Sequence, residues 1–205
     1  MKLYNAYKYS GFEWIGEIPK NWRLSKFKYN NNISSSNIDK KENFNLQKFK
    51  IIHYNDVIRN QHIDKTTKLG FGYCSETQIN NFSISLGDII LTKDSMDIRN
   101  ICDSTIITGQ LENAVYGYHL FKVSNNRNDI LAKYNYYFFK SKKTKEYFLV
   151  NANGTTIIGV SLDTIKNTPQ IIPPLKEQEQ IVSYLDIKSK NIKLLIEQIK
   201  KKIEL

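Results

Sequence analysis

The sequence predicts an α+β fold: one domain of short mixed strands and helices over residues 1–172, then a single long, coiled-coil-forming helix over 173–205. Three observations predict it. Short runs rich in Ile, Val and aromatics, separated by turn residues, recur from Phe49 to Val123 and read as strands. A helical apolar period follows from Asn128 to about Val150. Pro173-Pro174-Leu175 then opens a helical pattern that no Gly or Pro interrupts before Leu205.

Taken in order, Tyr9 to Trp22 holds both tryptophans with Gly11, Gly16 and Pro19, and reads as an irregular segment anchored by aromatics. Tyr9, Trp14 and Trp22 read first as packing residues, and second as part of a surface for a partner. Arg23–Tyr29 alternates polar and apolar residues, as a half-buried strand does. Residues 30–47, opening on Asn30-Asn31-Asn32 and Ser34-Ser35-Ser36, read as a polar loop. Ile51-Ile52 and Val57-Ile58 are short apolar pairs within a run of strands and turns, and the turn Leu86-Gly87-Asp88 leads into Ile89-Ile90-Leu91. Ile101–Ile107 and Ala114–Val123 supply further strands. Asn128 or Asp129 caps the next helix, with Ile130, Tyr134, Tyr137, Phe138 and Phe148 mostly on one face. Lys140, Lys142, Lys143 and Lys145 fall on its solvent side. Gly154-Thr155-Thr156 and Gly159 break the chain again, and Gln170-Ile171-Ile172 is the last extended run.

In the C-terminal helix Pro174 suits the first helical position, and Glu177 and Glu179 suit the positive end of the helix dipole. Lys200, Lys201 and Lys202 suit the negative end. At 1.5 Å per residue the helix is about 45 Å long, too long for a small domain to bury throughout. Ile181, Leu185, Ile192, Leu195 and Ile199 form a heptad seam broken at Lys188 and widened by Ile196 and Ile203. Such a seam calls for a partner helix; the plainer alternative is a terminal helix lying across its own domain.

Composition narrows the function. With 40 % hydrophobic residues, 13 Tyr and 10 Phe, the chain can bury a core. Thirty Lys and Arg against 20 Asp and Glu leave a formal charge of +10, which points to an anionic partner, nucleic acid foremost. Two cysteines without Cys-x-x-Cys spacing fit a reducing compartment. The apolar runs are too short to span a membrane and Met1–Lys20 lacks a signal-peptide core, so the expectation is a soluble, cytoplasmic protein. His53, His62 and His119 are scattered, and no phosphate-binding loop, nucleophile elbow or carboxylate cluster is present. No catalytic or metal-ligating set is read; the sequence describes a binder rather than an enzyme.

The run SGFEWIGEIPKNW at 10–22 and the run IIPPLKEQEQIVSYLD at 171–186 together resemble the specificity subunits of type I restriction-modification systems. GDIILTKDS at 87–95 and NGTTIIGVSLDTIKNTPQIIPPL at 153–175 resemble that family's target-recognition domains. The resemblance implies a non-catalytic subunit that recognises double-stranded DNA and holds methyltransferase and restriction subunits, S-adenosylmethionine being bound by the methyltransferase partner. It makes residues 1–172 a target-recognition domain and residues 173–205 a spacer helix. Members of the family carry two such domains and two such helices packed antiparallel, each domain reading half of a bipartite site. One domain and one helix therefore imply a half-subunit that self-associates through Ile181, Leu185, Ile192, Leu195 and Ile199 to read an interrupted palindrome. The alternative is a truncated fragment acting as an interaction partner or decoy. The resemblance names no base-contacting residue. From residue chemistry alone, the loop residues suited to phosphates and groove edges are Arg59, Lys65, Lys68, Lys93, Arg99, Tyr118 and Thr155.

Overall fold

The structure, a computed structural model, describes residues 4–38 and 46–203. The chain opens with an antiparallel hairpin, β1 (Tyr7–Tyr9) against β2 (Glu17–Pro19), where an irregular segment was expected. Gly11 and Gly16 both sit at positive φ in its connection, which is why the chain can reverse there. β3 (Arg23–Lys26) is shorter than the alternation over Arg23–Tyr29 suggests. It gives way to a single 3-10 turn, Phe27–Tyr29, that drives Phe27 into the core against Phe138 and Phe139.

The polar loop expected over 30–47 contains a strand, β4 (Asn31–Ser35); residues 39–45 of that stretch lie outside the described residues. Asn30 and Asn31 are buried rather than solvated, whereas Asn32 is exposed. Asn135 Nδ2 donates to Asn31 Oδ1 at 2.7 Å, Gln170 Nε2 to Asn135 Oδ1 at 2.7 Å, and Asn30 Nδ2 to Gln170 Oε1 at 2.9 Å, all buried. A partnered amide in the interior costs little, so polar composition here does not mean exposure.

Next come β5 (Gln47–Ile52), α1 (Tyr54–Arg59), β6 (His62–Ile63), β7 (Gly70–Cys74) and α2 (Glu76–Phe82). Val57-Ile58 thus belongs to a helix rather than to strands and turns. Asp56 starts that helix by accepting the His53 backbone N–H at 2.8 Å. β8 (Ile89–Thr92) leads to β9 (Asp94–Ser95) and a 3-10 turn, Ile98–Asn100. Ile101 and Cys102 form a buried turn, so the strand expected over Ile101–Ile107 begins later, as β10 (Ser104–Ile107). The Ala114–Val123 run divides at Gly117 into β11 (Ala114–Tyr116) and β12 (Leu120–Asn125).

The helix expected over about 128–150 is two: α3 (Ala132–Lys140) and α4 (Lys142–Val150). Ser141 ends the first and caps the second, its Oγ accepting the Thr144 N–H. Lys140 and Lys145 are not on a solvated face; their ammoniums lie 2.7 Å and 3.1 Å from Asp103 Oδ1. β13 (Ile158–Gly159), α5 (Leu162–Asn167, capped by Ser161), β14 (Pro169–Ile172) and α6 (Leu175–Ile203) complete the chain.

The main sheet has the order β4-β12-β8-β10-β6, antiparallel except where β6 runs parallel to β10. β8 is buried along its whole length because both sheet faces are covered. Ile89 and Leu91 face Phe121, Phe139 and Phe148, while Ile90 faces Ile52, Ile63 and Tyr116 on the other side. That two-sided burial is why the strand reads as a continuous apolar run. Gly87, at φ +87°, makes the turn into it. A second sheet, β11-β5-β7, packs beside the first, and the pairs β13-β9 and β14-β3 pin the late segments to early ones. β14 leads directly to α6, whose first backbone N–H groups, those of Glu177 and Gln178, donate to Pro174 O at 2.8 Å and 3.0 Å. Pro174 is thus the cap and Leu175 the first helical residue.

Candidate functional site

The seven loop residues singled out by chemistry fall into two places, joined by α1. Tyr54, at the start of α1, hydrogen-bonds Ser95 of β9 at 2.5 Å, while Arg59 at its end projects beside α6.

The first place is a rim built on β9. Lys93 precedes β9, and its backbone carbonyl accepts the Val160 N–H at 3.0 Å, fixing the Thr155 loop alongside through the β9–β13 ladder. The Lys93 ammonium lies 3.8 Å from the centre of the Tyr118 ring and 3.8 Å from Asp94 Oδ2. His119 Nδ1 is 2.6 Å from the other Asp94 oxygen. Arg99 rides on the 3-10 turn and makes a two-nitrogen contact with Asp97, at 3.0 and 2.7 Å, while its side chain remains 85 % exposed. The Arg99 guanidinium holds the Asp97 carboxyl below its usual range, and Asp97 raises Arg99 in return. Met96 and Ile157 stand exposed along a cleft of about 470 Å³, and Ile98 and Tyr118, outside its lining, are exposed as well. Thr155 is exposed in the loop that Gly154 turns at φ +125°, where an added Cβ would lie 2.0 Å from Ile157 O. Side chains offering hydrogen bonds, a methyl group and aromatic faces are thus grouped at one end of the domain, the mixture that groove-edge reading uses.

The second place is a cleft of about 910 Å³ between α6 and the α1–β6 edge. Arg59 and Lys68 line it; Lys65, on the same turn as Lys68, is exposed but outside the lining. The predicted residues therefore do not form one surface.

The long helix also divides. Glu177 accepts three hydrogen bonds: from Tyr4 OH at 2.7 Å, Trp22 Nε1 at 2.8 Å and Asn21 Nδ2 at 3.0 Å. Partial burial pushes its carboxyl upward, but these donors hold it below the usual value; burial and the same bond push Tyr4 up to about 12. Gln178 is fully buried, accepting the Leu131 N–H and donating to the Asp129 and Pro173 carbonyls, each at 2.9 Å. Ile181 packs with Val182 against Ile130, Tyr134 and Ile172, and Leu185 is half-buried, so the first part of the heptad seam is covered by the chain's own domain. Beyond Lys190 every described helical residue is exposed. Ile192, Leu195 and Ile199 are 57 %, 57 % and 56 % exposed, and Ile203 extends their stripe.

Trp14 stacks on Tyr147 at 4.9 Å between ring centres, whereas Tyr9 stays exposed on β1. Glu177 and Gln178 fall in the run at 171–186 and Glu177 suits the helix dipole, but their partners in the domain had no sequence signal, and the helix lysines facing the cleft had none beyond helix periodicity. Among the described residues no group of three His, Cys, Asp or Glu is placed to hold a metal ion, and no helix is long and apolar enough to cross a membrane.

Residues 19–205 match the family described as the type I restriction modification DNA specificity domain. The specificity subunit of the type I restriction enzyme EcoKI from Escherichia coli K12 is 29 % identical over 129 residues, which are 61 % of this chain and 27 % of that protein. The fold is similar to the HsdS subunit from Thermoanaerobacter tengcongensis, with a TM-score of 0.64 and 14 % identity over 92 % of this chain and 41 % of that one. A chain from a structure described as showing complex assembly and conformational transition of the type I R-M system gives 0.66 and 16 %, over 92 % and 42 %. The S subunit of M. genitalium gives 0.52 and 15 %, over 90 % and 43 %. This chain spans less than half the length of each of these relatives.

Proposed function

Because the chain belongs to the type I restriction modification DNA specificity family, we propose that it acts as a half-sized specificity subunit, reading one half of a bipartite DNA site without catalysing a reaction itself. The observation that carries this reading is the architecture. One recognition-type domain is joined to one long helix whose inner half is fixed to the domain and whose outer half presents an apolar stripe. Two copies meeting through Ile192, Leu195 and Ile199 about a two-fold axis would present two domains and two helices, the content of a full-length relative. In this reading the rim residues Arg99, Tyr118 and Thr155 approach base edges and Lys93 orients Tyr118. The complex is completed by a methyltransferase subunit, which holds S-adenosylmethionine, and by a restriction subunit. Base reading by a symmetric pair implies an interrupted palindrome.

The test is to express the chain with its methyltransferase subunit in an unmethylated host and map the modified bases. An interrupted palindrome supports both recognition and self-pairing. An asymmetric bipartite motif means that a different half has paired with it. No modification despite a stable complex overturns the reading in favour of a decoy fragment. Light scattering that finds a monomer, alone and with the methyltransferase subunit, overturns the symmetric pair.

A further inference from the structure

The cleft beside α6 has a charge distribution that its composition hides. It continues into a second cleft of about 530 Å³, the two sharing Gln61, His62, Ser189 and Lys193, so together they form a trough along the domain-facing side of the helix. The acids lining it are mostly engaged locally. Asp56 holds the His53 N–H, and the Asp64 carboxylate takes the Thr66 hydroxyl at 2.6 Å and the Thr66 N–H at 2.8 Å. Asp186 takes Lys133 at 2.7 Å and the Tyr137 hydroxyl at 2.6 Å. The Thr66 hydroxyl, with the backbone N–H groups of the same turn, holds Asp64 below its usual value. The cations outnumber them. Of the seven that line the trough, Lys133 pairs with Asp186 and Lys140 with Asp103, while among the described residues Arg59, Lys68, Lys190, Lys193 and Lys200 have no ion pair, against three acids that keep their charge without one, Asp56, Asp64 and Glu197.

We propose that this trough seats a phosphate backbone of the DNA, with Arg59 and Lys68 on the domain wall and Lys193 and Lys200 on the helix wall. The helix is then a DNA-contacting element through Lys193 and Lys200 and a pairing element through Leu195 and Ile199, with Ile192 and Ile196 on the boundary because both also line the trough. Lys193 and Lys200 lie two helical turns apart, about 10 Å along the axis, which equals the axial rise over about three phosphate steps of one strand. Uncommitted cations facing each other across a trough that runs lengthwise suit an extended polyanion, and Asn60 and Gln61 add neutral donors. The contacts carry no base information, so they set affinity and register and leave sequence choice to the rim.

This inference rests on the DNA-reading proposal, and one experiment separates the two. Binding of the full chain to a duplex containing its mapped site, and to an unrelated duplex, is measured by anisotropy over a range of salt. Wild type is compared with a Lys193→Gln/Lys200→Gln variant and with Lys176→Gln/Lys201→Gln, two exposed lysines on the side of α6 away from the domain. Each lost phosphate contact lowers the salt slope by about 0.9. The trough pair is therefore expected to reduce it by about 1.8 for each bound copy and to weaken both duplexes equally, while the control pair leaves it within error. Circular dichroism confirms that both variants keep their helix. Equal losses from both pairs, or an unchanged slope in the trough pair, overturn the trough and leave DNA reading intact. So does loss of methyltransferase co-purification without a change in slope, which assigns the trough to an acidic protein surface. If wild type retains neither duplex, both proposals fall.

Discussion

The two halves of α6 have similar composition and opposite circumstances. From Leu175 to Ser189 the helix is held by its own domain: Glu177 by three donors, Gln178 by three partners, Ile181 and Val182 by an apolar cluster, Asp186 by Lys133 and Tyr137. From Asn191 onward the described residues are all exposed, yet Ile192, Leu195, Ile196, Ile199 and Ile203 continue the apolar period. A 3.6-residue pattern says that a helix has an apolar side; it does not say whether the covering surface is in the same chain. Here the inner half is covered from within, and the outer half is left exposed.

The largest effect expected along this division is in the inner half. Gln178→Ala removes the partner of the buried Pro173 carbonyl and of the part-buried Leu131 N–H and Asp129 carbonyl, which costs about 2–4 kcal/mol. The urea midpoint of the chain should fall accordingly, with the slope unchanged. Survival of the wild-type midpoint would mean that the helix base is not the rigid joint described here.

Leu195→Glu in the outer half should do the opposite. Monomer stability is expected to stay within about 0.5 kcal/mol. Self-association measured by sedimentation should weaken roughly 30-fold, because each chain of the pair loses about 1 kcal/mol of apolar burial. A falling unfolding midpoint with intact self-association would reverse the assignment of the two halves.

Glu177→Gln is a smaller change, about 1 kcal/mol, since the site is partly solvated and the amide keeps some of the hydrogen bonds. It should also alter the pH profile. The folded carboxyl sits below its usual range, so its stabilising contribution is present above that range and is lost as pH falls through the lowered value. The variant should show a shallower decline in stability below about pH 4.5 than wild type does.

The smallest expected change fills the gap in the stripe. Lys188→Leu should tighten self-association about five-fold, equivalent to about 1 kcal/mol. If it has no effect, the pairing surface lies entirely beyond residue 190.

The same distinction between pattern and partner accounts for what could be read in advance. β8 was legible because both faces of Ile89-Ile90-Leu91 are covered, and α6 because nothing interrupts its period. α1 was missed because a six-residue helix with one buried apolar residue, Val57, leaves no period to detect. β4 was missed because its polar side chains are satisfied by Asn135 and Gln170, residues more than 100 positions away. The Ser141 break had a local signal, a serine three residues before a threonine whose N–H it caps, but continuous helix propensity on both sides masked it. For the candidate site, charge and side-chain chemistry nominated residues without showing their surroundings. Whether a cation is already occupied, as Arg99 is by Asp97, or still uncommitted, as Arg59 is, depends on neighbours brought in by the fold.

The chain's only two thiols occupy different faces of this fold. Cys74 at the end of β7 packs with Ile51 and Val115, and Cys102 lies in the buried turn before β10, within the cluster around Phe139 and Phe148. Burial raises the pKa of both, so neither supplies much thiolate to an alkylating reagent while the chain stays closed. Their modification rates consequently act as two built-in clocks of local opening, one for each sheet. Unequal rates would reveal which layer separates first when the protein breathes.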